Sequence, residues 1–346
     1  PPSRLPAERL WGGMLRALRF ARHSETVLAQ LVRTVAYSAA GSALWALLPV
    51  IAQRHLGLGA AGFGFLIGCL GIGAVLTGLV IGPLRIRLGL ERLVVIGCVL
   101  YALAMVVAAL SSFAPLVYAV LVVAGGCWMA VMSTFNTATQ TSVPPWVRAR
   151  ATAMHTLCAL GSFAIGSAFW GALSDIIGLA AALFVGAAAM AAGALLAKPF
   201  PLRMGELGEV TQVKTSENLF IVYEPDPEAG PVAVEIGYRI HAEDTEEFLD
   251  AITQLRAFRR RDGATLWRVY RDLSDESRYV ERFIVTSWAD YLHQRSRATV
   301  ADQELEERVR SALLLVEGAY GIAVVDARQT DRIVVARNGS PVLVAV

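Results

Sequence analysis

Two long apolar runs of the sequence contain polar side chains at spacings of three and four residues, which places them on one face of a helix. They are Ser38, Ser42 and Trp45 in the first run, with Arg33 and Tyr37 alongside, and Ser133, Asn136, Thr137 and Gln140 in a later one. Polar groups are costly in hydrocarbon and usually face a bundle interior or a water-filled cavity. These stripes therefore either line a substrate cavity or pair helix to helix, and the spacing does not decide between the two.

The remaining candidates for chemistry do not form a catalytic or metal-binding constellation. The sequence has no Gly-rich phosphate loop, no HExxH motif and no paired cysteine ligands. Its four cysteines lie far apart inside apolar runs, and the five histidines are scattered. His155 is interpreted as a hydrogen-bonded packing residue rather than a proton relay. We therefore expect no catalytic residue, no metal, no cofactor and no enzyme activity.

Composition points to a membrane domain followed by soluble chain. Charged residues make up 17% of the sequence, and mean hydropathy is +0.52, whereas soluble domains are about a quarter charged. The region 31–197 contains six apolar runs, each close to the ~20 residues that cross a bilayer. The predicted spans are 31–53, 60–82, 93–111, 115–140, 151–171 and 178–197.

The distribution of basic residues predicts the orientation of these spans. Twelve Lys or Arg residues flank one side of the six spans, and Arg54 alone flanks the other. Because Lys and Arg are enriched in cytoplasmic loops, both termini should be cytoplasmic. Residues 1–30 are then a basic cytoplasmic linker, or equally an amphipathic surface helix on anionic lipid.

After the spans the sequence becomes polar and charged. A Pro- and Gly-containing linker covers 198–231. Residues 232–313 show the order strand, helix, strand, strand, helix, which is most of a ferredoxin-like α+β unit. Residues 314–346 predict a separate three-stranded meander. The predicted fold class is therefore an α-helical membrane protein of six helices with a small α+β soluble domain.

The segment QTSVPPWVRARATAMHTLCALGSFAIGSAFWGALSDIIGL (140–179) resembles the C-terminal half of major facilitator superfamily transporters, and SALWALLPVIAQ (42–53) is similar to their seventh helix. Within this superfamily, the sequence most resembles the bacterial drug and siderophore exporters of the enterobactin-exporter type, also called transmembrane secretion effectors. Such exporters use twelve helices in two halves, with substrate between them. The resemblance implies a proton-driven antiporter half in the inner membrane. Its expected partners are a missing N-terminal half, membrane lipid and a small amphipathic substrate. Nucleic acid is not expected as a partner.

The family's cytoplasmic gate loop, GxLaDRxGRR, resembles the stretch from Gly82 to Arg92. Gly82, Leu84, Arg87 and Gly89 fit this pattern, whereas Ile86 replaces the aspartate. The resemblance also implies that Arg85, Arg148 and Arg150 are gate or lipid-contact residues in such loops.

The soluble stretch beginning at GPVAVEIGYRI is similar to the C-terminal extension of those exporters, and through it to the dimeric barrels of antibiotic-biosynthesis monooxygenases. Two alternatives follow from this likeness. The domain 232–313 could be a regulatory module that forms a homodimer, or a membrane-tethered monooxygenase-like enzyme. The only candidates for a pocket in such an enzyme are His241, Trp267, Tyr270, Trp288 and His293.

The tail has a different likeness. RSALLLVEGAYGIAVVDARQTDRIVVARNGSP (310–341) resembles part of the glutaminase domain of glutamine–fructose-6-phosphate aminotransferase. That domain needs an N-terminal cysteine nucleophile, which this chain lacks in that position. We therefore expect 314–346 to be foreign to the rest, joined near Val309 as in a chimera, and without amidotransferase activity.

Overall fold

The computed structural model describes residues 10–212, 225–311, 320–326 and 329–338. Contacts divide the chain into two compact units. The membrane unit contains residues 25–143 and 148–205. The second unit, here called the soluble unit, contains the described residues up to Ser24, Pro144–Val147 and those from Glu206 onward.

The membrane unit is built from six helices, since only intrasegment hydrogen bonding satisfies the backbone in lipid. They are α2 (Glu25–Val50, extended by a π-helical turn at Ile51–His55), α3 (Ala60–Leu88), α4 (Leu90–Leu110), α5 (Ala114–Thr141), α6 (Pro145–Ile177) and α7 (Leu179–Leu195). Five described helices, α2 to α6, are long and apolar enough to cross a membrane. Helix α7 is apolar but only 17 residues long, near the lower limit for a span.

Two of the predicted loops are helical, which corrects the sequence interpretation. Helix α3 continues through Pro83 and Arg87 to Leu88, so Gly89 alone separates it from α4. Helix α6 begins at Pro145 and includes Arg148 and Arg150. Basic side chains end the apolar run without breaking the helix, and proline is tolerated at a first helical turn and within membrane helices. The helices end instead where Gly89 and Gly178 adopt φ of 75° and 87°.

Helices α3 and α5 pack at backbone contact. A Cβ atom on Gly73 would lie 1.8 Å from the Val122 carbonyl oxygen, and one on Gly125 would lie 2.0 Å from that of Leu70. Small residues permit such close approach, which provides the van der Waals packing that joins helices in lipid. Helix α3 also contains the GxxxG pairs Gly64–Gly68 and Gly78–Gly82, but they do not make this backbone contact. Among the described residues, nothing lies within 4 Å of a Cβ atom placed on Gly64, Gly68 or Gly82, and one on Gly78 would meet the Met129 side chain at 3.7 Å.

The soluble unit contains α1 (Leu10–His23), the short α8 (Leu207–Val210) and an α+β domain. The domain runs β1 (Val232–Arg239), α9 (Thr245–Asp262), β2 (Leu266–Arg271), β3 (Arg278–Val285), α10 (Trp288–Ser296), α11 (Val300–Ser311), β4 (Tyr320–Asp326) and β5 (Gln329–Asn338). The sequence predicts one helix after the third strand of this domain, whereas the structure has two. The second begins at a capping box, in which the Asp302 amide donates to Thr299 Oγ1 and the Thr299 amide donates to Asp302 Oδ2.

The tail strands join the domain instead of forming a separate meander. All neighbouring strands are antiparallel, in the order β2-β3-β1-β4-β5. Strand β4 pairs with β1 in a register that sets Val232 opposite Val324. The first four strands therefore have the βαββαβ order of a ferredoxin-like sheet, and β5 is an added edge strand. The predicted third strand of the tail, 341–346, lies outside the described residues.

A buried carboxylate organises the core of this domain. Glu281 on β3 is 0% exposed and accepts hydrogen bonds from Tyr238 Oη at 2.8 Å, Trp267 Nε1 at 2.8 Å and Arg259 Nε at 3.1 Å. Arg259, on α9, also pairs with Glu306 of α11 and lies over the Phe283 ring. Burial, together with the charge of Glu281, holds the pKa of Tyr238 well above its usual value. The carboxylate thus ties the sheet to both helices that cover it.

Replacing Gly73 with alanine should separate α3 from α5 and destabilise the membrane unit by about 1–3 kcal/mol, the usual cost of overpacking. Gly71→Ala is the matched control, because no atom of the described residues lies within 4 Å of a Cβ at that position. Fluorescence-detected size exclusion after heating the detergent-solubilised chain measures both variants. Equal midpoints for the two would contradict the close packing.

Replacing Glu281 with glutamine should destabilise the soluble unit by about 3 kcal/mol, because Arg259 loses its fully buried partner. The control is Glu235→Gln. Its ion pair with Arg282 lies at the surface, where such pairs contribute under about 1 kcal/mol. Proteolysis of the intact chain at increasing urea concentration reports the stability of this unit. A larger effect from the surface substitution would refute the central role of Glu281.

Candidate functional site

The predicted polar stripe of the fourth span forms one partly exposed face of α5, here called the polar face. Ser133, Asn136 and Thr137 are half-buried, and Gln140 is exposed. The Gln140 Nε2 atom donates to Asn136 Oδ1 at 2.9 Å. Amide groups on such a surface would be poorly solvated by hydrocarbon. The polar face is thus suited to contact water, a solute or another protein rather than lipid tails.

Arg85 of α3 adds a positive charge to the polar face. Its Nη2, Nε and Nη1 atoms donate to the hydroxyls of Ser133 at 2.7 Å, Thr134 at 3.1 Å and Thr137 at 3.1 Å. The Ser133 and Thr134 hydroxyls donate in turn to the Ala130 carbonyl, so their lone pairs point to the guanidinium. Within the described residues no carboxylate pairs with Arg85. The sequence pattern predicts that this arginine lies in a loop. Because α3 continues for at least one more turn, the Arg85 side chain instead lies against α5.

The stripe of the first span is placed differently. Tyr37 is buried against Tyr101, Trp128 and Phe135. Ser38 is fully buried, and its hydroxyl faces the Met132 sulfur at 3.9 Å.

Trp45 is half-buried and packs edge-on against Trp128 and Phe163. In this structure the first-span candidates therefore belong to the aromatic core of the bundle. They do not share the exposed polar face of α5.

A small cavity lies inside the bundle beside Tyr37. It is lined by Arg33, Tyr37, Val94, Cys98, Phe135, Met190 and Gly193. The Nη2 atom of Arg33 and the Tyr37 hydroxyl are both buried and have no hydrogen-bond partner among the described protein atoms. Buried polar groups are costly without a partner, so this cavity is suited to hold a bridging water.

Sequence reasoning missed an ion pair at the same end of the bundle. Arg33 is 2% exposed, and its Nη1 atom lies 2.5 Å from Glu91 Oε1 on α4. Glu91 Oε2 also accepts a hydrogen bond from the Leu202 amide at 2.9 Å. The sequence places Arg33 one turn inside the first predicted span and does not identify this partner. The signal that could have found the pair is that both charges lie at span ends that the alternation of the spans places on the same side of the membrane.

The segment after α7 is attached to the bundle by further buried polar groups. Gln30 Nε2 donates to Ser142 Oγ at 3.0 Å and to the Arg203 carbonyl at 3.3 Å. The Gly205 amide donates to Ser142 Oγ at 3.1 Å. Residues 200–205 therefore form a strap across the ends of α2, α4 and α5 inside the membrane unit.

The residues predicted to form the gate loops lie mostly at the surface, whereas His155 lies in the core. Gly82, Arg87, Gly89 and Arg148 are exposed, and Arg150 is half-buried. His155 is buried, and its Nδ1 atom shares a 3.3 Å hydrogen bond with Thr34 Oγ1. That geometry is compatible with the packing interpretation.

The five enzyme candidates of the soluble unit do not form an evident catalytic group. Trp267 donates to the structural Glu281, and Trp288 is buried against Tyr291. Tyr270 and His241 are exposed, whereas His293 is buried.

The apolar helices and the charged polar face define a multi-pass membrane protein with a polar surface at one end of its bundle. The family model for transmembrane secretion effectors, a group within the major facilitator superfamily, matches residues 1–320. The chain belongs to this family. It is a family of transporters and not of enzymes.

A second comparison concerns a short segment. The chain is 60% identical over 42 residues to the glutamine–fructose-6-phosphate aminotransferase [isomerizing] of Chlorobaculum tepidum. The match covers 12% of this chain, and the chain spans only 7% of the length of that curated enzyme. The similarity therefore concerns a piece of the sequence and does not extend to the enzyme as a whole.

Removing the carboxylate of Glu91 should leave the Arg33 charge buried and unpaired, at a cost of about 3–5 kcal/mol. The matched control is Glu25→Ala, which removes an exposed charge from the first turn of α2, where a carboxylate contributes under about 1 kcal/mol. Thermal midpoints of the purified Glu91→Ala and Glu25→Ala variants in detergent provide the comparison. A Glu91→Ala midpoint equal to that of the control would show that the pair does not hold α2 to α4.

Proposed function

We propose that this chain is the C-terminal six-helix half of an efflux transporter that exports small amphipathic molecules, of the drug or siderophore class, in exchange for protons. The observation that supports this best is the polar face of α5 with Arg85 beside it. An arginine and two amide side chains on the outer surface of a membrane bundle need a polar neighbour. A substrate cavity between two six-helix halves provides one.

The charge of this face agrees with an amphipathic substrate that has an electronegative group. A guanidinium has five N–H donors, and three donate to the hydroxyls of α5. The two that remain can bind a substrate oxygen or an acidic side chain of the other half. Gln140 and Asn136 add further donors and acceptors along the same face. In alternating access, rocking of the halves would expose this face to one side of the membrane at a time.

The location follows from the distribution of basic residues. Because twelve Lys or Arg residues flank one side of the spans and one flanks the other, we place both termini, the Arg85 end of α3 and the strap at the cytoplasmic surface of the inner membrane. Arg87, Arg148 and Arg150 would then be cytoplasmic gate or lipid-contact residues. The missing half would lie upstream of Pro1. The DNA sequence before that codon should encode six further apolar spans.

The soluble unit supports a second proposal, that two copies of the chain pair through residues 232–313. Strand β2 is an edge of the sheet, and Arg268, Tyr270 and Arg271 on it are exposed. Unpaired strand edges are templates for pairing with another chain. Light scattering on the detergent-solubilised chain distinguishes a dimer from a monomer. A purely monomeric particle at micromolar concentration would eliminate this proposal.

The separate origin of 314–346 also stays a proposal. It rests on the 60% identity of a 42-residue segment to an unrelated enzyme. The family match, however, extends to residue 320, and β4 pairs with β1 of the soluble domain. Genomic sequence across codons 300–330 tests the join.

Truncating the polar face should reduce export. Asn136→Ala and Gln140→Ala each remove a hydrogen-bonding group from the proposed cavity. Each should lower efflux about three- to tenfold, the equivalent of one hydrogen bond. Efflux of a fluorescent amphipathic dye is measured from cells that produce the exporter containing this chain. Leu160→Ala, an exposed apolar position on α6, is the control for nonspecific surface effects. Unchanged efflux in both polar variants, at equal protein levels, would remove the cavity from the proposal.

A further inference from the structure

Helix α1 has two different sides, and among the described residues of the soluble unit only one of them is packed against the domain. Ala17, Phe20 and Ala21 are buried on the side that faces α9. Arg19 Nη1 donates to the Gly263 carbonyl oxygen at 2.8 Å, just beyond the end of α9. The Phe20 ring packs edge-on against Trp146. These contacts hold α1 in a fixed rotation on the domain.

The other side presents an exposed stripe, here called the outer stripe, made of Met14, Leu18 and Arg22. These residues are spaced four apart and therefore lie in one row along the helix. Met14 is 61% exposed, Leu18 is 58% exposed, and Arg22 is also exposed. Single exposed apolar residues need no explanation, but two large ones in a row followed by an arginine form an amphipathic surface.

The charge of α1 indicates which kind of partner the outer stripe binds. The helix contains Arg16, Arg19, Arg22 and His23 and has no acidic residue over Leu10–His23. A protein partner would need a complementary acidic apolar groove. The surface of a bilayer that contains anionic lipid offers negative headgroups above an apolar layer, which matches an apolar row with cationic flanks.

The position of α1 in the chain favours the same occupant. Only Ser24 separates α1 from α2, a helix long and apolar enough to cross a membrane. The Ser24 amide donates to the Phe20 carbonyl at 2.9 Å, so the helical bonding of α1 continues to this junction. The chain itself therefore keeps the end of α1 within one residue of a membrane-spanning helix.

We propose that the outer stripe of α1 inserts into the headgroup region of the bilayer and binds anionic phospholipid, while the opposite side of α1 holds the soluble domain. Met14 and Leu18 enter the boundary between headgroups and acyl chains. Arg22 pairs with lipid phosphate. Helix α1 thereby acts as an adaptor between the lipid surface and α9.

The test places an environment-sensitive fluorophore, NBD, on single cysteines in the full chain. Cys69, Cys98 and Cys127 are buried, and Cys158→Ala removes the half-buried fourth cysteine. Met14→Cys and Leu18→Cys are the labelled variants, and Leu273→Cys is the matched control, a fully exposed leucine of the soluble unit. Unchanged thermal midpoints confirm that labelling preserves the fold. The proteins are placed in nanodiscs of phosphatidylcholine with or without phosphatidylglycerol and with a doxyl-labelled quencher lipid.

We expect several-fold stronger lipid quenching at positions 14 and 18 than at position 273. This quenching should weaken when phosphatidylglycerol is omitted or when Arg22→Gln is added. Quenching at 14 and 18 no greater than at 273 would overturn the proposal. A blue-shifted emission without lipid quenching would also overturn it, because it would show that protein covers the stripe. Equal quenching with and without phosphatidylglycerol would refute the role of anionic lipid.

Discussion

The cost of leaving polar groups unsatisfied in hydrocarbon is the constraint on which the membrane unit depends. It makes every apolar span a helix, because only helical bonding satisfies the backbone within one segment. It also explains where the polar side chains lie. Arg33 is buried only together with Glu91, and Gln30 is buried only together with Ser142 and the strap. Arg85 reaches neutral hydroxyls of α5 instead of a carboxylate, and this leaves its charge available at the surface of the bundle.

The soluble unit depends on a related balance between burial and pairing. Glu281 is fully buried, yet its oxygens are satisfied by Tyr238, Trp267 and Arg259. Each donor comes from a different element, so the network holds β1, β2 and α9 on β3 at once. The sheet is then extended by β4 and β5 on the β1 side. A tail whose sequence resembles another protein is thus accommodated at a strand edge, where backbone hydrogen bonding is largely independent of side-chain identity.

The sequence predicted most of the architecture. Each of the six apolar runs coincides with one helix, and β1, α9, β2 and β3 follow one another in the predicted order of strand, helix, strand and strand. It failed at the helix ends of α3 and α6, because a basic stretch that follows an apolar run can stay helical as readily as it can form a loop. Glycine spacing within α3 also does not identify the close contact, since packing at Gly73 requires a partner at the same height on α5, and spacing within one helix does not specify that partner.

What the sequence determined by itself is therefore the part that depends on local composition: six spans, their charge asymmetry and an α+β soluble domain. Only the tertiary structure decided which polar residues meet. The same three- and four-residue spacing occurs in two spans, yet Tyr37 and Ser38 turn into the aromatic core, while Asn136 and Gln140 stay exposed beside Arg85. The physical reason is that helical periodicity defines a face but not its direction. Whether a face points into the core or toward the surface depends on how all six helices pack together, which is a property of the whole bundle.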